Sequence, residues 1–153
     1  MAGFGPSDAM SYIVNQDIVD RVGNDRAVQL SSDSGTAVNT NVLDEVRLSS
    51  EGEVNGYLAK RYAVPVDLTA HPDLDATLSG FTLDIAVYRL MLRRPPVPED
   101  IRRAYDNAVK WLVAVSKGEV ILPADTPPAS ATADAPTIDW GSSEQNAAML
   151  RDL

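Results

Sequence analysis

The sequence predicts an all-α protein, and three observations lead to that prediction. Apolar residues recur every three or four positions through residues 41–62, 74–93 and 98–117, which is the spacing of one helix face. Proline or glycine follows each stretch within a few residues, as is common at helix ends. Hydrophobic residues make up 44% of the chain and charged residues 23%, which is enough apolar material for a packed core. The length of 153 residues suits one such domain.

The chain is expected to begin with a leader, a short helix and a loop. Residues 1–11 are interpreted as a flexible leader without the features of a signal peptide. A helix is predicted from Gln16 to Val22, with Asn15 as its N-cap and Gly23 as its stop. The polar segment between Gly23 and Asn41 is interpreted as a surface loop.

The second predicted helix runs from about Asn41 to Tyr62 and has two unlike faces. Its core face holds Leu43, Val46, Val54, Tyr57 and Leu58. Four small residues, Gly52, Gly56, Ala59 and Ala63, fall on the opposite face. Each interior glycine costs about 1 kcal/mol relative to alanine, so this row indicates that something packs closely against it. A second helix of the same domain is the favoured interpretation, and a neighbouring subunit is the alternative.

The third and fourth predicted helices complete the bundle. The third, from about Leu74 to Arg93, has two nearly opposite apolar stripes and is therefore expected to be a buried central helix. One stripe is Leu74, Leu78, Phe81, Ile85, Tyr88 and Leu92, and the other is Leu83, Val87 and Leu90. The fourth begins at Pro98 or Glu99 and ends at Gly118. Its stripe is Ile101, Ala104, Tyr105, Ala108, Trp111, Leu112 and Val115.

The chain divides into a leader, a helical domain over residues 12–118 and an extended C-terminal arm over residues 119–153. The arm carries six acidic residues and one basic residue, and its middle is rich in proline and alanine. Two apolar patches on it are candidate docking points for a partner: Val120, Ile121 and Leu122 in the first, Ile138 and Trp140 in the second. The net charge of −9 argues against general affinity for DNA.

The residues that usually carry chemistry do not form a recognisable site. There is no cysteine, and the one histidine, His71, precedes a proline in a predicted loop, so no catalytic, cofactor or metal site is expected. Neighbouring acids such as Glu51 and Glu53 are interpreted as capping or solvated groups. Arg93 and Arg94 are interpreted as cations that favour a helix C-terminus rather than as a phosphate site.

Four strings in the right order are specific enough to indicate a family. They are Tyr12 to Gly23, Glu53 to Pro65 (EVNGYLAKRYAVP), Asp84 to Leu90 (DIAVYRL) and Ala104 to Pro123 (AYDNAVKWLVAVSKGEVILP). Together they resemble the neck proteins of Mu-like phages and prophages, over about residues 12–123. The resemblance implies the head-tail connector fold of long-tailed bacteriophages, a small helical bundle.

The resemblance also implies a role and partners. Such proteins are virion structural proteins of the neck, assembled in the host cytoplasm, and are not enzymes. They form a homo-oligomeric ring, typically of twelve copies, that binds the portal and extends the DNA packaging and ejection channel. They offer a platform to the next neck or tail-terminator protein. DNA is expected to pass through the lumen without specific binding, and no membrane is involved.

Under this interpretation the small-residue face of Gly52, Gly56, Ala59 and Ala63 is a candidate oligomer interface. Two other functions remain open. A tail-terminator or tail-completion protein would have the same chemistry at another position in the virion. A regulatory DNA-binding protein would need a basic recognition helix, and the fourth predicted helix, with Arg102, Arg103 and Lys110, is the candidate for it.

Overall fold

The computed structural model describes residues 11–123 and 125–129. Within them the chain forms five helices and no strand, so the all-α prediction is confirmed. An isolated antiparallel bridge joins Tyr62 to Pro128. None of the described helices is both long enough and apolar enough to cross a membrane. The helices are α1 Asn15–Val22, α2 Asn24–Ser31, α3 Thr40–Leu58, α4 Pro72–Met91 and α5 Glu99–Lys117.

Helix α4 lies at the centre of the bundle and packs against each of the other four helices. Its two apolar stripes serve two different hydrophobic clusters. Leu78 and Ile85 belong to the first cluster, whereas Val87 and Leu90 belong to the second. The prediction of a buried central helix is therefore confirmed. Leu92, which the sequence placed in the first stripe, lies just beyond the end of α4 and is 49% exposed.

The two clusters divide the other helices between them. The first cluster joins the C-terminal half of α3 and much of α5 to α4, through Val54, Leu58, Ala108, Leu112 and Val115. The second joins α1, α2 and the N-terminal half of α3 to α4, through Ile18, Leu30, Leu43 and Val46. Most of these side chains are fully buried. Burying an aliphatic side chain stabilises a fold by roughly 1.5–3 kcal/mol, so these clusters account for the packing of the bundle.

Helix α2 corrects the prediction of a loop between Gly23 and Asn41. Residues Asn24–Ser31 are helical and bury Ala27 and Leu30 in the core. No side chain caps the start of this helix, and Gly23, with φ of 87°, turns the chain directly from α1 into it. The local sequence therefore lacks the usual signals for a helix start.

The end of α2 is held by two arginines from beyond α4. Nε of Arg93 donates to the carbonyl oxygen of Leu30 at 2.9 Å, and Nε of Arg94 donates to that of Gln29 at 2.6 Å. These carbonyls lie in the last turn of the helix, where no helical N–H is available to pair with them. The expectation that the arginines serve a helix C-terminus holds, but the helix is α2 rather than their own.

The ends of the longer helices follow local chemistry. The side chain of Asn39 accepts hydrogen bonds from the backbone N–H groups of Asn41 and Val42 and caps α3. Helix α3 ends at Leu58, four residues before the predicted end, yet Tyr62 remains buried. Helix α5 begins and ends as predicted, and Gly118 follows it with φ of 80°, in the left-handed region that glycine favours.

A buried glutamate fastens the N-terminal segment to α3. Glu51 is 8% exposed, and its Oε1 accepts hydrogen bonds from the hydroxyl of Ser11 at 2.6 Å and from the backbone N–H of Tyr12 at 3.0 Å. The N–H of Ile13 also points to this oxygen, at 3.3 Å. Arg47, one turn earlier, lies 3.7 Å from the other carboxylate oxygen. Glu51 is thus a buried structural acceptor, and its interpretation from the sequence as a capping or solvated acid is wrong.

We predict that Glu51→Ala lowers the free energy of unfolding by about 3–5 kcal/mol, because it leaves Arg47 and two backbone donors in a buried site without this partner. Urea denaturation measures the change. Glu45→Ala, at an exposed position of the same helix, is the matched control and should shift stability by less than about 0.5 kcal/mol. Equal effects of the two substitutions would contradict the role assigned to Glu51.

Candidate interaction surfaces

A polar network joins α3, α4 and α5 at the edge of the first cluster. Glu53 accepts a hydrogen bond from Nη2 of Arg89 at 2.6 Å and from the hydroxyl of Tyr105 at 3.1 Å. The ring of Tyr105 stacks on that of Tyr88, with centroids 4.1 Å apart. Glu53 is therefore a fastening point between three helices, which corrects its interpretation as a capping or solvated acid.

The same network changes the acidity of Tyr105. Its partial burial, followed by the hydrogen bond to Glu53 and the negative charge of that residue, raises the pKa of Tyr105 from 10.0 to about 12. The folded protein therefore holds this proton more tightly than the unfolded chain does. The stabilising contribution is complete below pH 10 and is lost as the pH rises through 12.

We predict that Tyr105→Phe removes a tyrosine ionisation near pH 12 from the alkaline absorbance titration. Glu53→Gln should lower the pKa of Tyr105, because it removes the negative charge that opposes ionisation. Alkaline titration of the three proteins by ultraviolet absorbance tests both statements. A titration curve that neither substitution alters at its high-pH end would show that the network does not act on Tyr105.

The small-residue face of α3 is open in the described part of the chain. Gly52 and Gly56 are exposed, and a Cβ added at either would meet nothing within 4 Å. Ala59 is exposed as well, and Leu48, one turn before Gly52, is 45% exposed on the same side. The favoured interpretation, that a second helix of the same domain covers this face, is wrong. We call Leu48, Gly52, Gly56 and Ala59 the open α3 face.

Ala63 and Leu48 change the composition of that face. Ala63 lies beyond the end of α3, and its backbone N–H donates to the carbonyl oxygen of Pro127 at 2.9 Å. It therefore does not continue the helical row. Leu48 was missed from the sequence, although it lies four residues before Gly52 and thus on the same side of a helix. This four-residue spacing would have placed Leu48 on the small-residue face from the sequence alone.

The first apolar patch of the arm is divided between core and surface. Val120 packs against the first cluster, and Leu122 is 4% exposed within it. The backbone N–H of Leu122 donates to the hydroxyl of Tyr62 at 3.0 Å. Ile121, between these two, points away from the core and is 75% exposed. Only Ile121 of the three candidates is available to a partner in this structure, and Ile138 and Trp140 lie outside the described residues.

The next part of the arm also lies on the helical domain. Residues 125–129 run beside residues 61–63, and the N–H of Ala129 donates to the carbonyl oxygen of Arg61 at 3.0 Å. Nε2 of His71 lies 2.7 Å from a carboxylate oxygen of Asp125. His71 thus makes a structural contact. The packed domain continues beyond residue 118, through residue 129 of the described chain.

Two further features concern chemistry. No group of three or more histidine, cysteine, aspartate or glutamate residues that could hold a metal ion occurs among residues 11–123 and 125–129. Arg102, Arg103 and Lys110 are exposed on α5, but Glu99, Asp100 and Asp106 are exposed on the same helix. This surface is therefore mixed in charge rather than uniformly basic.

Comparison with known protein families matches the chain to a phage protein family. The family described as Bacteriophage Mu, Gp36 matches residues 12–139, which include all five helices and the segment that packs beside residues 61–63. No curated protein matches the chain.

Proposed function

Because the chain belongs to the bacteriophage Mu Gp36 family, we propose that it is a head-to-tail adaptor of the virion neck. In this proposal it forms a ring under the portal, extends the DNA channel and joins the capsid to the tail. The open α3 face carries the proposal, since it is an apolar helix surface shaped for close approach by another helix. The four strings that resemble neck proteins also support it.

A ring of identical copies needs two unlike surfaces on each copy, one for the neighbour on either side. The open α3 face supplies one of them. Gly52 and Gly56 have no side chain, so another helix can come close to the α3 backbone over two successive turns. Leu48 adds an exposed apolar side chain beside them. A helix of the next copy would bury Leu48 and approach the α3 backbone closely. That gain offsets the cost of two glycines inside a helix.

We predict opposite effects of Gly52→Ala and Gly56→Ala on folding and on assembly. Each should stabilise the monomer by about 1 kcal/mol, because alanine is the better helix former and the added Cβ meets no atom. Each should also weaken the oligomer, because the methyl groups hold the neighbouring helix away. Chemical denaturation at low protein concentration and light scattering at high concentration measure the two effects.

The control is Asn107→Ala, at an exposed position of α5 away from the open α3 face, which should leave assembly unchanged. If the glycine variants gain stability and assemble as well as the wild type, the open α3 face is not a contact between copies.

The distal arm, residues 130–153, is the proposed link to the portal. Ile138 and Trp140 are apolar anchors in a polar, acidic sequence, and residues 125–129 fasten the start of the arm beside residues 61–63. Anchors on a tethered segment bind a partner at high effective concentration once the domain is in place. The structure also fixes where a truncation must begin, since a cut before residue 125 removes part of the packed domain.

We predict that a chain ending at Ala129 keeps the stability of the full protein but no longer joins portal complexes. A chain ending at Pro123 should in addition be less stable, because it loses the backbone pairing with residues 61–63 and the contact of His71 with Asp125. Thermal unfolding and co-purification with the portal measure the two properties. Normal joining by the chain that ends at Ala129 would exclude the distal arm as the portal link.

A further inference from the structure

An apolar groove with an acidic rim lies along the C-terminal half of α4. Its volume is about 440 Å³, and Val87 and Met91 of α4 face Ile101 and Ala104 of α5 across it. Val22 closes the side formed by α1, and Asp84 and Asp100 stand at the rim. An adjoining depression adds Asp17 and Asp20 and shares Arg21, which pairs with Asp84 at 2.8 Å. The lining thus holds four acidic groups and one basic group. We call this the α4 groove.

The opposite end of α5 presents an apolar side chain among basic ones. Ile121 is the most exposed of the large hydrophobic residues described. Lys117 precedes it, and the guanidinium of Arg61 lies so close over Gly118 that a Cβ there would meet it at 2.7 Å. Arg61 and Lys117 are exposed there, with the exposed acid Glu119 between Gly118 and Ile121. We call this surface the Ile121 end.

Ile121 is held in place before any partner arrives. Its neighbours Val120 and Leu122 are both packed against the first cluster, and the N–H groups of Glu119 and Val120 bond to the carbonyl oxygen of Ala114 at 2.9 and 3.2 Å. A side chain fixed in this way loses little conformational entropy when it is buried in a partner. The exposed position is therefore part of the fold and not an accident of a loose segment.

We propose that the Ile121 end of one copy docks in the α4 groove of the next. The two surfaces are complementary in charge and both contain apolar groups. They lie toward opposite ends of α5: the groove reaches Ala104, whereas the segment before Ile121 bonds to Ala114, so ten helical residues, or about 15 Å, keep Ile121 from its own groove. Contacts between unlike surfaces of identical copies are head-to-tail and generate rings or filaments. The inference rests on the proposed ring and names a second pair of surfaces for it.

Charge favours a second copy over the distal arm of the same chain as the occupant. Residues 130–153 carry four acidic residues and one basic residue, so the acidic rim of the groove repels them. The Ile121 end instead brings Arg61 and Lys117 to that rim. Because exposed charges contribute, the contact should weaken as salt is raised.

Disulfide trapping in the full chain tests the contact, because the natural sequence has no cysteine. The double variant Ile121→Cys/Ala104→Cys should give a ladder of covalent dimers, trimers and larger species on oxidation. A disulfide needs Cα atoms within about 7 Å, so the pair cannot close within one copy. The control Ile121→Cys/Ala37→Cys, with the second cysteine at an exposed site outside the groove, should give no ladder. A mixture of the two single variants Ile121→Cys and Ala104→Cys should give dimers and nothing larger.

Light scattering of the wild-type chain separates the failure of this inference from the failure of the proposed ring. Ring-sized particles without a ladder from Ile121→Cys/Ala104→Cys would overturn the groove contact and leave the ring standing. A wild-type chain that stays monomeric alone and with the portal, and gives no ladder, would overturn both. Equal ladders from the control, or trapping of Ile121→Cys on a different protein, would also contradict a second copy as the occupant.

Discussion

The two-sided apolar character of α4 is the constraint on which the rest of the structure depends. A helix with one apolar stripe needs one partner layer, whereas α4 must be covered on both sides. The C-terminal half of α3 and much of α5 cover Leu78 and Ile85, and α1, α2 and the start of α3 cover Val87 and Leu90. The groove along α4 lies between α1 and α5, with the buried side chains of Val87 and Met91 at its floor.

Polar contacts between distant residues then hold the N-terminal segment and the end of α2 in place on the bundle. Glu51 binds the backbone of the N-terminal segment, and Arg47 reaches the hydroxyl of Ser11 at 2.8 Å. Arg93 and Arg94 hold the last carbonyls of α2. Each contact joins residues far apart in the chain, so it specifies one arrangement of short segments on the bundle. The price is sensitivity, because the loss of one partner leaves a buried donor or charge unpaired.

Much of the fold could be predicted from local sequence. The stripes of α4 and the ends of α5 follow from periodicity, proline and glycine. Helix α2 could not be predicted, because its start lacks a cap and its end depends on arginines more than 60 residues away. The pairing of residues 125–129 with residues 61–63 could not be predicted either, because it joins segments more than 60 residues apart. The sequence identified Gly52 and Gly56 as surface candidates. It could not show that Leu122 is buried or that the α4 groove exists, because both depend on how the helices pack together.

The open α3 face, the α4 groove and the Ile121 end are left uncovered in the described part of the chain, and an assembly of copies would cover all three. Electron microscopy of the full chain with and without the portal tests this account most directly. The account predicts a closed ring of copies seated on the portal, with the open α3 face turned toward a neighbouring copy. A chain that stays monomeric in the presence of the portal, or that is found at another part of the virion, would contradict it.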